Sequence, residues 1–386
     1  MPFATTTSDG RNYDSTPIDP IYLMERYPTE FPPYLEILEV KWRVKSNRFP
    51  KLLKTWSILL HSFELSSKLK RLTLSLGPPP KESQRKRILI AISNLPNLKI
   101  LLMWNKIETG QTRWTTADLA ILLEQEIRFE FLQLTGWDLL SSADFSRCKL
   151  PANFNGLSLD GCRLSLPVFR QFYPFVAPHA GKARNRDDMN YLSLNTFAPN
   201  RLNPEQVLPL VAEMTVSLHM LIITHWLHEK DNLNRQIILS NPLDEGFLTF
   251  HNLRRLILDG TNETSNLVSP HFLQRLSCPS LTLLSVACCY FVHEDIHSFL
   301  SSRSRFVADR STKFWFSWTA LWGDMATTEL VQDLLQVDGT KRGEEIVLEP
   351  WRDGEEGDWI FDGKDFKVTF NEGGEYSPSI FSGYWD

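Results

Sequence analysis

The residues of this chain whose types and spacing could do chemistry are His, Glu and Cys. His293-Glu294-Asp295-Ile296-His297 spells H-E-x-x-H. On a helix, positions i and i+4 share a face. His293 and His297 could then hold a zinc ion while Glu294 serves as the general base of a zinc-dependent hydrolase. Such a centre needs a third protein ligand. The extended motif wants Gly at 300 and His at 303, where this chain has Leu300 and Arg303. Glu329, with Asp333 four residues on, would be a distant substitute. Val292, Ile296, Phe299 and Leu300 form an apolar stripe through the same stretch, which makes it an ordinary packed helix with both His near its polar side. His225 and His228 are close, but no Cys or acidic residue stands at a ligand spacing beside them. The five cysteines, Cys148, Cys162, Cys278, Cys288 and Cys289, are an odd number with two adjacent. That fits reduced thiols of the cytoplasm or nucleus better than a disulfide frame. The chain has no Gly-rich phosphate loop, nucleophile elbow or Cys-x-x-Cys pair. The expectation is a protein that is not an enzyme and has no metal or cofactor. The zinc hydrolase is the alternative.

What positions these residues is a repeating unit. Phe154 to Leu164 reads F-x-x-L-x-L-x-x-C-x-L, the core of a leucine-rich repeat with Cys in the N/C slot. Leu157 and Leu159 alternate with Ser158 and Asp160, so a short strand has one apolar and one polar face. Asp160-Gly161 permits a sharp turn after the strand, and Cys162 then points inward. One unit cannot bury its own apolar face, so it needs neighbours of the same shape. They are present. Leu281, Leu284, Val286 and Cys289 repeat the full pattern, and shorter L-x-x-L-x-L matches bring the third anchors to 40, 74, 103, 134, 159, 194, 223, 258 and 286. The steps mostly exceed the usual roughly 20–29 residues, so several repeats carry insertions. Helix starts fall between the strands: Thr115 ahead of Asp118, Ser165 ahead of Pro167, Asn203-Pro204, and Ser269-Pro270. The predicted fold class is α/β, a leucine-rich-repeat solenoid or horseshoe with irregular repeats and a C-terminal cap.

The predicted organisation has three parts. Residues 1–33 are a proline-punctuated lead-in, 34–303 the solenoid, and 304–386 a degenerate repeat plus an acidic, aromatic cap. From Gly339 onward there are twelve acidic and five basic residues, which suits the polar outer face of a terminal cap. The formal net charge of −5 gives no general attraction for nucleic acid or an anionic membrane. No apolar run approaches the ~18 residues of a membrane span, and the first residues lack the basic-then-apolar order of a signal peptide. The basic run Lys81 to Arg87 is expected to be the solvated start of an amphipathic helix rather than an import signal.

The repeats around Cys162 and Cys289 resemble those of fungal leucine-rich-repeat proteins of the F-box-associated, cysteine-containing kind. The matching residues are Leu157-x-Leu159-x-x-Cys162 and Leu284-x-Val286-x-x-Cys289, the second followed by Val292, Glu294, Ile296 and Phe299-Leu300. The resemblance covers roughly residues 34–303. It implies a substrate receptor of a cullin-type ubiquitin ligase, with the repeats holding the substrate. The family's N-terminal F-box has no counterpart in residues 1–33, where no Leu-Pro-x-Glu opening occurs.

Strand alternation then fixes where a protein partner would bind. The side chains between and after the inward Leu positions face outward and line the concave face of the horseshoe. The expected contact residues are Lys41, Leu102, Trp104, Gln133, Asp160, Asn195, Ile222, Ile257 and Asp259, with Leu102, Trp104, Ile222 and Ile257 as exposed anchors among small polar neighbours.

Overall fold

The structure, a computed structural model, describes residues 37–41, 68–76, 82–105, 113–124, 129–148, 154–176, 190–197, 202, 204–214, 217–226, 248–260, 276–287, 313–317, 344–349, 359–362 and 366–370. The fold is mixed α/β, with a mostly parallel sheet, few helices and no closed barrel among the described residues. The chain divides into two compact units, residues 1–202 with 213–217 and residues 203–212 with 218–386. The expected boundaries after 33 and after 303 lie outside the described residues, as does the helix start expected at Ser269-Pro270.

In the first unit the strands are β1 (Ile37–Lys41), β2 (Arg71–Leu76), β3 (Ile100–Asn105), β4 (Phe131–Thr135), the two-residue β5 (Asp138–Leu139), β6 (Gly156–Leu164) and β7 (Tyr191–Phe197). Apart from β5 they lie side by side in chain order, every pair parallel, while β5 pairs with the far end of β6. The register follows the Leu spacing. Leu38, Leu72, Leu101, Leu132, Leu157 and Leu192 form one row of partners, and Val40, Leu74, Met103, Leu134, Leu159 and Leu194 form the next. From Leu72 and Leu74 onward every member of both rows is buried. Each fully buried Leu contributes about 1.5–3 kcal/mol, so a slip of one residue, which would turn every row outward, is strongly disfavoured.

The helices close over the apolar side of the repeats. They are α1 (Glu82–Ser93), α2 (Thr116–Glu124), α3 (Leu166–Val176) and α4 (Pro204–Met214). Their buried stripes are Ile88, Leu89 and Ile92; Leu119, Leu122 and Leu123; Val168, Phe169 and Phe172; and Val207, Leu208 and Val211. The starts of α2, α3 and α4 are those expected at Thr115, Ser165 and Asn203-Pro204. At α2 the Thr115 N–H donates to Asp118 Oδ2 at 2.8 Å and its hydroxyl donates to the same oxygen at 2.9 Å. Asp118, at the third position, thereby supplies the carboxylate half of a capping box. At α3 the Val168 N–H donates to Ser165 Oγ at 3.4 Å. The basic run is structural in part: Arg85 Nη1 donates to Asp118 Oδ2 at 2.9 Å and ties α1 to α2, while Lys86 and Arg87 are exposed.

Cys162 is fully buried and unpaired, with Sγ 3.3 Å from the Leu134 carbonyl oxygen. Burial pushes its thiol up to about 12. The chain reaches this inward position by a different route from the expected turn. The strand does not end at Asp160-Gly161 but continues to Leu164, with a register shift between Asp160 and Cys162. Gly161 sits at φ 56°, a left-handed conformation that glycine adopts without steric cost. It makes a bulge, and the extra residue returns Cys162 to the inward side. The Gly136 N–H, from a second left-handed glycine, donates to the Asp160 carbonyl at 2.9 Å. Cys289 and Cys288 lie outside the described residues.

In the second unit β8 (Met220–Trp226), β10 (Arg255–Gly260) and β12 (Leu283–Ala287) are parallel neighbours, with Leu221, Leu256 and Leu284 in one row and Ile223, Leu258 and Val286 in the next. The short β9 (Leu248–Thr249) and β11 (Leu276–Ser277) pair separately. Beyond residue 304, where a degenerate repeat and a cap are expected, the ladder of strands continues. Strands β13 (Lys313–Ser317), β14 (Glu344–Glu349) and β16 (Phe366–Phe370) extend the ladder in parallel, and β15 (Trp359–Asp362) closes it as the antiparallel edge beside β16. Phe314, Ile346 and Val368 continue the row of Leu284. At these positions Phe, Ile and Val mostly stand where Leu stands earlier, so the Leu pattern alone does not reveal them.

Gly156 is where the first unit's sheet is most tightly filled. A Cβ there would meet Phe131 Cδ2 at 2.5 Å and Cε2 at 2.9 Å. Phe131 is buried and its ring lies 5.7 Å from that of Tyr191, across the glycine. Gly156→Ala is therefore expected to lower unfolding free energy by about 1–3 kcal/mol in urea melts. Phe131→Leu in the Gly156→Ala background should recover part of that loss. Equal stability of Gly156→Ala and wild type would contradict the packing.

Candidate functional site

Alternation leaves three outward rows across β2, β3, β4, β6 and β7. The first holds Arg71, Ile100, Phe131, Gly156 and Tyr191; the second Thr73, Leu102, Gln133, Ser158 and Ser193; the third Ser75, Trp104, Thr135, Asp160 and Asn195. The middle row is mostly closed, with Thr73, Leu102, Ser158 and Ser193 buried and only Gln133 part-open. The third row is different. Trp104, Thr135, Asp160 and Asn195 are all half-buried.

The third row carries acceptors on Thr135, Asp160 and Asn195, and donors on Trp104, Thr135 and Asn195. Asn195 Nδ2 donates to Asp160 Oδ1 at 2.7 Å. The Asn195 Oδ1 and Thr135 Oγ1 atoms are buried and have no hydrogen-bond partner among the described residues. No Lys, Arg or His among the described residues forms an ion pair with Asp160. A buried polar atom left unbonded costs about 1–3 kcal/mol, and such deficits gather at functional sites. Burial raises the Asp160 carboxyl above its ordinary value, and the Asn195 bond partly opposes the shift. The Tyr191 hydroxyl is raised as well, first by burial and then by the Asp160 charge, while a bond to Ser193 works the other way.

The expected contact residues are placed unevenly. Trp104, Gln133, Asp160 and Asn195 come together on this face of the first unit. Leu102 is beside them, but at 6% exposure it is no anchor. In the second unit Ile222 and Ile257 are register partners, 5% and 3% exposed. These three corrections have one cause. The middle outward row is mostly closed, small polar residues such as Thr73 and Ser158 included, and strand alternation gives direction and not exposure. Lys41 stands opposite Ser75, and Asp259 stands between Thr224 and Ala287. Phe131 and Tyr191 were missed. Extending the alternation one step before the second Leu of each repeat would have found them.

His293, Glu294 and His297 lie outside the described residues, as does His228. Among the described residues no group of three His, Cys, Asp or Glu is arranged to hold a metal ion. No protein-family model matches the chain, and no curated protein matches it.

The raised Asp160 carboxyl has a stability consequence. The folded protein keeps this proton to higher pH than the unfolded chain does. The favourable contribution is full below the ordinary carboxylate value near 3.8 and is lost as pH rises through the raised folded value. Asp160→Asn removes the titration and can still accept the Asn195 bond. At neutral pH its melting temperature should equal or exceed that of wild type, and any gain should shrink as pH falls towards 4. A variant clearly less stable than wild type at neutral pH would contradict this reading of Asp160.

Proposed function

We propose that the chain is a leucine-rich-repeat solenoid without catalytic activity, which binds a protein partner on the outward sheet face of its first unit. The observation that carries this is the third outward row, where a half-buried Trp104 stands beside Thr135, the Asp160 carboxylate follows one strand on, and the Thr135 and Asn195 side-chain oxygens have no partner among the described residues. A structural surface would satisfy those atoms internally. An interface satisfies them with groups from the partner, and an aromatic side chain beside a polar row is the composition of an interface hot spot. The solenoid reading is supported by the in-register apolar rows and by the buried Cys162 slot.

The resemblance to F-box-associated repeat proteins makes the proposed partner a substrate presented to a ubiquitin ligase in the cytoplasm or nucleus. The face suits protein better than nucleic acid. Its second and third rows between β2 and β7 contain Thr, Leu, Gln, Ser, Trp, Asp and Asn, and no Lys or Arg with which to meet phosphates. No helix among the described residues is long and apolar enough to cross a membrane.

The test is capture of partners by the full chain, identified by mass spectrometry, followed by titration of the best one. Trp104→Ala should weaken binding by about 2 kcal/mol or more while the melting curve is retained. Asp160→Lys should also weaken it. Unchanged affinity in both would rule out this face as the binding site. A collapsed melting curve for Trp104→Ala would mean that Trp104 belongs to the core.

A further inference from the structure

The third outward row also defines what part of a partner it receives. We propose that Thr135, Asp160 and Asn195, with Trp104 at their flank, form a receptor for an arginine side chain of the bound protein. This rests on the reading of the face as a protein-binding surface and adds the chemistry of recognition.

Three features point to a guanidinium. The first is the count of groups. Asp160 carries a carboxylate that no described cation neutralises, and next to it on either side stands one buried, unpartnered oxygen, Thr135 Oγ1 on β4 and Asn195 Oδ1 on β7. A ligand that neutralises Asp160 and bonds these oxygens must bring positive charge and several N–H donors. Arg and Lys both meet that condition. The second feature is width. The row spans two strand spacings, about 9–10 Å between the outer Cα atoms. An ammonium is a compact point donor that serves one gap. A guanidinium is a planar fork with five donors and reaches across neighbouring acceptors. The third is Trp104, the register partner of Thr135 and half-buried. A guanidinium stacks on an aromatic face while its edge donates hydrogen bonds, which an indole beside a carboxylate row permits.

The existing bond prepares the site. Asn195 Nδ2 holds Asp160 Oδ1 at 2.7 Å and turns its own Oδ1 away from that contact. The carboxylate is oriented before the partner arrives, so less side-chain freedom is lost on binding.

The experiment uses the full chain and four pools of fluorescent Gly/Ser-flanked dodecapeptides with random neighbours around one fixed central residue. That residue is arginine, lysine, citrulline or norleucine. Citrulline keeps the shape of arginine and removes its charge. Fluorescence anisotropy should show the arginine pool binding at least tenfold tighter than the citrulline pool, with lysine in between. For Asp160→Asn the arginine-to-citrulline ratio should fall to about one with an unchanged melting curve. Glu124→Gln, which removes the same charge from α2, should keep the wild-type ratio. An arginine-to-citrulline ratio near one in wild type, or a ratio untouched by Asp160→Asn, would overturn the proposal. In either case Trp104→Ala separates the two readings. If it still weakens binding of the pools, the face remains the binding surface and only the arginine receptor falls. If it changes nothing, the face falls with it.

Discussion

Everything in this structure depends on parallel strands being held in register by their inward aliphatic rows. Leu132, Leu157 and Leu192 share one row, and Leu134, Leu159 and Leu194 share the next, each residue opposite its counterpart. Because the side-chain period of a strand is two, these rows fix the opposite face as well. Thr135, Asp160 and Asn195 are neighbours only because Leu134, Leu159 and Leu194 are. Position 160 could not be moved relative to 195 without turning a Leu outward. The helices add to this frame, and their caps are local: Thr115 with Asp118 at α2, Ser165 at α3.

The polar row runs against the logic of the core beneath it. A stable surface would give Asn195 Oδ1 and Thr135 Oγ1 their bonds and leave Asp160 in water. Here the carboxyl is partly withdrawn from solvent and its pKa raised, and two acceptors beside it have no partner among the described residues. Local choices that disagree with stability are what binding sites look like when the rest of the fold is self-consistent. The bulge at Gly161 contributes. It lets β6 present Asp160 outward and still return Cys162 inward two residues later.

Much of this was legible because Leu spacing is a strong signal. The nine anchors from Val40 to Val286 could be placed by counting, and within each unit those that pair do so in the counted register. The polar row could be listed but not recognised, since alternation says which way a side chain faces and not whether its oxygen finds a donor. Burial on the outward face was misread for the same reason. Leu102, Ile222 and Ile257 face away from the apolar rows, yet all three are buried. Of the strands beyond residue 304 only Glu344–Glu349 escaped notice, because its Ile-Val-Leu run carries no Leu spacing.

The central claim is that a protein partner sits on this outward face, and site-specific photo-crosslinking in the native host tests it most directly. Benzoylphenylalanine would be placed at Gln133, part-open at the middle of the face, and separately at Arg87, exposed on α1. The account predicts a discrete covalent adduct to another protein from position 133, lost in the Trp104→Ala background, and none from position 87. Adducts from position 87 alone, or from neither position while the chain is captured with a partner, would contradict it.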